Sequence, residues 1–490
     1  MRPSTKSLIA LGLTLAAALA PALYLWGFTV DDALISARVA HQLATGHGYR
    51  FNAEGAPVDA VTPLGWAPLL AGFASAGPLA ALSAAKWLGL VSWLAAVGWL
   101  GRQLSRFSTR GLVVGPLLLA ANMPLAVWSV AGMETGVVIA LATLGLAPNW
   151  AGRSALGLAA AWRPELLPWA ATMAAGPALF GVGEFSARLR RAMLATLPVL
   201  LPFACVAVVR TWVFGAAYPL SVLAKPPDGD SGLRYALGAL AFSGPAWALI
   251  GGRALLGLSA RARVTLVAGG LHVVALCLVG GDWMPIYRLF APILPSLILA
   301  AAELAEHAPT WISAVRVTAA LSASGLLFVG RASSARGVGV QRMHLIEASR
   351  SALQGAQRVA TLDVGWVGAS TAASVVDMAG VTDPWVARLP GGHTTKKLPD
   401  SFLEARDVDA LVLLAEVGMS EACSTSPDGF CPVTLDWVRS QWPALHFVRA
   451  VEARVVTLTG ADRFRPVALV ALWGTRQAYV IARRNPAGQP

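Results

Sequence analysis

The sequence predicts a polytopic α-helical membrane protein with a small α/β domain at its C-terminal end. Three observations predict it. Of 490 residues, 56% are hydrophobic and only 13% carry charge, against about 25% charged in a soluble domain. Apolar runs near the roughly 20 residues that cross a bilayer recur from Leu8 to Val329. From Gly330 onward charges return and short β-rich runs alternate with helical ones. The formal net charge of +12 belongs to loops beside anionic lipid. No basic patch interleaved with aromatics points to nucleic acid.

The first apolar run, Leu8 to Val30, follows a basic start and has an Ala-rich stretch like a secretory signal. It continues past Ala20 to Phe28, too long for a signal core, so it reads as an uncleaved first span. Arg2 and Lys6 put the N-terminus in the cytoplasm and Asp31 outside.

Asp31 and Asp32 stand together where the first run ends. Adjacent carboxylates beside a low-dielectric surface repel each other unless a cation, a donor or a shared proton satisfies them. Arg38, one to two helical turns on, is the nearest cation in sequence. The chain then turns polar and Gly-rich and returns to the membrane through Thr62, Pro63 and Trp66. A catalytic carboxylate on a first outer loop and a plain helix cap both fit this stretch.

Basic loops fix the remaining topology. Thr62 to Ala76, broken by Pro63, Pro68 and Gly72, reads as a re-entrant or interfacial helix, and Ala81 to Leu100 as a full crossing. Leu112 to Trp128 goes out and Gly136 to Leu146 comes in. A hairpin of two short arms meets at Trp162-Arg163-Pro164-Glu165. Ala195 to Phe214, Tyr235 to Gly252, Val264 to Gly280, Leu289 to Leu304 and Ile312 to Val329 then alternate. About eleven crossings result, with every strongly basic short loop inside and the C-terminus outside. The expected domains are residues 1–330, transmembrane, and residues 331–490, extracytoplasmic. In the second, strands are expected at Val359–Leu362, Ala410–Leu414, Val455–Leu458, Val467–Leu472 and Tyr479–Ala482, with a helix over Met343–Gln357. Cys423 and Cys431 enclose a polar loop, a pairing favoured in an oxidising compartment. No Cys/His spacing suggests a structural metal, and no P-loop is present.

Polar residues cluster at the expected outer face, where they persist only with partners or function. They are Trp128 to Glu134, Arg163 and Glu165, Arg210 with Lys225, and Asp282, Trp283, Tyr287 and Arg288. Together with Asp31 and Asp32 they suit a lipid-linked phosphate and a sugar.

The stretches FTVDDALISARVAHQLATGHGYRFNAEGAPVDAVTPLGW, WSVAGMETG, WRPE, GGDWMPIYRLFAPILP and VVDMAGVTDPWVARLPGGHTTKKLPDSFL resemble, in this order, the GT-C fold membrane glycosyltransferases. The likeness is greatest to the terminal arabinofuranosyltransferase family of the mycobacterial cell wall. The chain departs from that pattern at Leu166, at Ala60-Val61-Thr62 and at Pro219-Leu220-Ser221. The resemblance implies a GT-C-like, multi-pass protein of the plasma membrane acting in cell-wall biogenesis. It implies a polyprenyl-phosphate sugar as donor substrate, a cell-surface glycan as acceptor, and transfer on the outer face. No cofactor is implied, and metal dependence stays open. Asp31 and Asp32 are then the catalytic pair. Arg38, Arg163, Lys225 and Arg288 are the candidates for the donor phosphate and sugar. Trp66, Glu134, Glu165, Asp282, Trp283, Tyr287 and His393 are expected to line the site. Two other readings fit the composition: a GT-C transferase of mannose or an aminosugar, to protein or lipid A, and a non-enzymatic lipid-linked-sugar transporter. The transporter would place polar residues at the bilayer midplane and show inverted repeats, and neither is visible.

Overall fold

A computed structural model describes residues 5–226, 228–417, 434–442, 444–459 and 463–485. Five of its helices are long and apolar enough to cross a membrane, six if one bent pair counts as a single span. The expected pair Cys423 and Cys431 lies outside the described residues.

The helical region begins with α1 (Thr5–Tyr24), a candidate span, and α2 (Asp31–Ala44), followed by the short α3 (Trp66–Ala71) and the span α4 (Pro78–Leu104). The bent pair is α5 (Thr109–Ala120) and α6 (Met123–Ser129), which meet at 58°. Asn122 makes the break. It caps α6 by accepting a bond from the Leu125 N–H at 3.1 Å, and Pro124 at the new helix start has no N–H to continue the old one. Next come α7 (Thr135–Leu144) and the hairpin of α8 (Trp150–Trp162) and α9 (Leu167–Leu179). The span α10 (Phe185–Phe214) leads to α11 (Leu220–Ala224), α12 (Gly229–Phe242) and α13 (Pro245–Ala248). The span α14 (Ala260–Leu278) and then α15 (Leu294–His307) complete the bundle. Several expected crossings are therefore helices of 10 to 14 residues: α7, α8, α9, α12 and α15.

The expected boundary at residue 330 falls inside a helix. α16 (Thr310–Leu353) runs 44 residues without interruption, starting as a span and ending against the C-terminal sheet. That sheet contains β1 (Arg358–Thr361), β2 (Ser374–Asp377), β3 (Ala410–Glu416), β4 (His446–Phe447), β5 (Phe464–Ala471) and β6 (Gln477–Arg484) in the order β2-β1-β3-β6-β5, with β4 on β3. β1 pairs in parallel with β2 and β3, and β6 is antiparallel to β3 and β5. The connecting helices are α17 (Val364–Ser370), α18 (Pro384–Ala387), α19 (Phe402–Ala405), α20 (Leu435–Gln441) and α21 (Ala450–Thr459). Val455–Leu458, expected as a strand, lies in α21. Val451 and Val455 stand one turn apart there and are both buried.

One of the hydrophobic clusters joins the two regions. Leu34, Ile35, Val39 and Trp66 of the first loop pack with Leu345 of α16, Trp366 of α17, and Val412 and Ile481 of the sheet. The segment after α1 is thus part of the core under the C-terminal domain.

Candidate functional site

A cavity of about 350 Å³ opens at the end of the bundle that carries the C-terminal domain. Chain breaks supply its charged lining. Val30 is extended, so α2 starts at Asp31 and its first turn holds both carboxylates, where a helix N-terminus favours negative charge. Neighbouring residues on a helix point about 100° apart, and here only Asp32 lines the cavity. Arg163 sits at the apex of the α8–α9 hairpin, where Pro164 prevents α8 from continuing. Lys225 ends the one-turn helix α11, and Arg288 follows the irregular loop after α14. In that loop Ile286 and Tyr287 have positive φ, 64° and 49°, costly for a β-branched residue. The Trp128 indole holds it by donating to the Ile286 carbonyl at 2.7 Å, and Leu289 N–H donates to the Tyr235 hydroxyl at 2.8 Å.

The charges interlock. Arg163 pairs with Glu134 at 2.5 Å and, more loosely, with Glu165 at 3.8 Å. Arg288 pairs with Asp282 at 2.7 Å and reaches Asp32 at 4.0 Å. Lys225 stands 3.8 Å from Asp32 on the other side. Asp32 and Lys225 keep 22% and 24% of their side chains exposed, whereas Glu134 is sealed. Among the described residues, no hydrogen bond reaches the Asp32 carboxylate, so it meets two cations at longer range with its lone pairs free. His272 ties the two cation-bearing segments together, its ring nitrogens 3.2 Å from the Glu165 carbonyl and 2.9 Å from the Leu289 carbonyl. Beside Val222, Leu278 and Val279, all exposed, the lining turns apolar.

The structure thus brings Asp32, Glu134, Arg163, Glu165, Lys225, Asp282 and Arg288 to one cavity. Trp283 stands at its edge, 54% exposed, with Lys225 Nζ 5.3 Å from its ring centre and the His393 ring 6.0 Å away. Four other expected residues stand elsewhere. Asp31 turns toward α17, where its carboxylate accepts from the Gly365 N–H at 2.9 Å and the Trp366 N–H at 2.8 Å. Arg38 is buried with its guanidinium consumed by carbonyls. It donates to Phe51 (2.9 Å), Gly368 (2.5 Å), Thr371 (3.2 Å) and Ala373 (2.9 Å), and to the Asn52 side chain (3.2 Å), leaving nothing for a phosphate. Trp66 is fully buried against Trp162, and Tyr287 packs edge-on against Tyr235. None of the four lines the cavity.

Sequence reasoning passed over Asp59, which pairs with Arg210 at 2.7 Å in a buried contact, while Arg210 also donates to the Thr62 carbonyl. This pair holds the Ala60–Pro63 wall, and Thr62 meets Ser221 of α11 at 3.1 Å. A lone acid in an apolar stretch was the available signal. Val381, from the C-terminal domain, also lines the cavity. Its loop is fixed by Asp377, which accepts from the N–H groups of Ala379, Gly380 and Thr382 at 2.6 to 3.1 Å. Among the described residues, no three His, Cys, Asp or Glu side chains gather as metal ligands do.

Residues 335–465 match a family described as Domain of unknown function (DUF8728). The match begins within α16 and takes in Asp363, Asp377, His393, Arg449 and Glu452. No curated protein and no solved structure matches the chain.

Proposed function

We propose that the protein is a GT-C-type membrane glycosyltransferase. It moves a sugar, arabinofuranose by its motif pattern, from a polyprenyl-phosphate donor to a cell-envelope glycan on the outer face. The observation that carries this reading is Asp32: a carboxylate that accepts no hydrogen bond from the described residues, between Lys225 and Arg288, in a cavity lined by apolar side chains on one side and charged ones on the other. An acceptor hydroxyl is a poor nucleophile and needs a base within hydrogen-bond reach. Asp32 takes its proton as the oxygen attacks the anomeric carbon from the face opposite the phosphate. The bond from anomeric carbon to phosphate oxygen breaks, the configuration inverts, and the lipid phosphate leaves with both electrons. Lys225 and Arg288 neutralise the charge gathering there. The 3.8 Å separation of Lys225 from Asp32 leaves its ammonium available to a phosphate, while Arg288, its Nε on Asp282 at 2.7 Å and its Nη1 3.2 Å from Met133 Sδ, contributes its charge. The polyprenyl chain lies against Val222, Leu278 and Val279. In this reading the short helices α7, α8, α9, α12 and α15 also traverse the bilayer, completing about eleven crossings.

The test is mass spectrometry of polyprenyl-phosphate sugars consumed by the purified protein in nanodiscs with a glycan acceptor. We expect polyprenyl-phosphoarabinose to disappear as polyprenyl phosphate and an extended glycan appear. Consumption of another sugar moves the assignment within the class. Consumption of none removes it.

A further inference from the structure

We propose that Trp283 and His393 form a subsite for one sugar ring of the acceptor glycan, the face of the indole serving as its platform. The inference rests on the glycosyltransferase reading for the identity of its ligand and on separate residues for its geometry. Trp283 leaves the cavity wall immediately after Asp282, and 54% of its surface is exposed. Two short steps connect it to the proposed base: 5.3 Å from ring centre to Lys225 Nζ, then 3.8 Å to the Asp32 carboxylate. A ring resting on this indole therefore lies on the approach to Asp32.

The C-terminal domain builds the other wall. His393 lies 6.0 Å from Trp283, with the ring planes 37° apart, so the imidazole stands at the rim of the indole. The turn that presents it is held on several sides. Lys396 is buried and donates to the carbonyls of Ala387 at 2.8 Å and Leu389 at 3.0 Å. The Gly392 N–H donates to the Thr395 hydroxyl at 3.0 Å, and the Val451 N–H to the Thr394 carbonyl at 3.1 Å. Gly391 has φ 101°, and a β-carbon there would run into the Thr395 backbone. Burial, and then the charge of Lys225, hold His393 at about 4, so at neutral pH it offers one N–H donor and one acceptor.

An aromatic face with a few convergent polar groups is the usual make-up of a small-molecule site. The chemistry suits a sugar in particular. The C–H face of the ring carries partial positive charge and settles on the negative π face of an indole. Its hydroxyls meet a neutral imidazole and an ammonium, which between them donate and accept. An exposed tryptophan also serves proteins as an interfacial membrane anchor. That role gives no reason for a neutral histidine, presented by a separately braced turn of another domain, to face it.

The test uses the full chain in nanodiscs labelled with 5-fluorotryptophan, the Trp283 resonance being identified by its loss in Trp283→Phe. It is titrated with linear oligoarabinofuranosides and separately with manno-oligosaccharides of equal length. We expect a saturable shift with one series, weakened in His393→Ala. In transfer assays Trp283→Ala should raise the acceptor KM roughly tenfold, the scale of one aromatic contact, with the donor KM unchanged. A Trp283 resonance unmoved by every oligosaccharide overturns the subsite and leaves the residue as an interfacial anchor. A shift without any transfer by the wild-type protein keeps the subsite and removes the glycosyltransferase reading. Transfer with an unmoved resonance does the reverse.

Discussion

The carboxylate of Asp31 accepts two backbone N–H bonds from α17, while that of Asp32 accepts none from the described residues and looks into the cavity. Two adjacent aspartates thus divide what the sequence offered as one catalytic pair. Asp32 has the free lone pairs that a base needs. Asp31 fixes the first turn of α2 to the C-terminal domain, and with it the direction in which Asp32 points. The approach is close: a β-carbon on Gly365 would collide with the Asp31 backbone oxygen. We predict that Asp32→Asn melts like the wild type and loses transfer by ~10² or more, because an amide cannot take the proton. Asp31→Asn turns one acceptor into a donor facing an N–H. It should cost about 1.5–3 kcal/mol, the range for a hydrogen bond to a charged group, and lower the melting temperature while keeping measurable turnover. Paired melting curves and initial rates check both. Full activity in Asp32→Asn removes the assignment of the base.

At the scale of elements, the contact between α2 and the C-terminal domain continues into a buried charge cluster reaching β3, β6 and α21. Arg449 pairs with Asp363 at 2.6 Å and with Glu452 at 3.6 Å, and the Tyr479 hydroxyl donates to Asp363 at 2.5 Å. Asp31 and Arg342 complete it, each feeling the charge of Asp363. Three acids face two arginines, so the cluster favours one retained proton. Burial, opposed by Arg449, pushes Glu452 up to about 8 from an ordinary 4.5. Burial and the Asp363 charge push Asp31 to about 6. Asp363, beside Arg449, is held below the usual carboxylate range despite burial. A carboxyl group raised in the folded state binds its proton more tightly there than when unfolded. Its stabilisation is complete below about 4.5 and fades as pH rises toward 8, by about 1 kcal/mol per unit. We predict that the melting temperature falls between pH 5 and pH 8, and that Glu452→Gln flattens the fall. An unchanged slope in the variant would place the proton elsewhere. The cluster is not legible in the sequence, because its members are far apart in the chain, and Asp31, the one singled out there, reads as catalytic. The same holds for Arg38, which looked like the partner of the aspartate pair one to two turns away and bonds instead to carbonyls some 330 residues distant. Legible were the features written locally: the Arg163-Pro164 break, the Asp282 to Arg288 loop, the apolar runs, and strands β1, β3, β5 and β6. β2 and the two-residue β4 escaped. Val455–Leu458 misled because a β-branched residue such as Val455 also fills a helix face, here with Val451 one turn before it.

At the scale of the whole molecule, a helix replaces the expected linker. The stretch 330–342 is rich in Gly, Ser and Arg and reads as a boundary, yet it contains no proline, and α16 continues through it. Glycine serves a contact there: the Gly339 N–H donates to the Gly27 carbonyl at 2.7 Å, bringing α16 against the chain just after α1. The C-terminal domain is therefore carried on a rigid 44-residue helix and also welded to α2. It follows the side of the membrane on which Asp32 lies. One accessibility measurement consequently reports on both the domain and the site. The basic loops predict that this side is extracytoplasmic. A cysteine placed at the exposed Ser401, in a chain with its four native cysteines replaced, should react with an impermeant thiol reagent on intact cells or spheroplasts. Labelling only after lysis would put domain and cavity together on the cytoplasmic side. An acceptor outside the cell could then not reach Asp32, and the proposed reaction would fall with the topology.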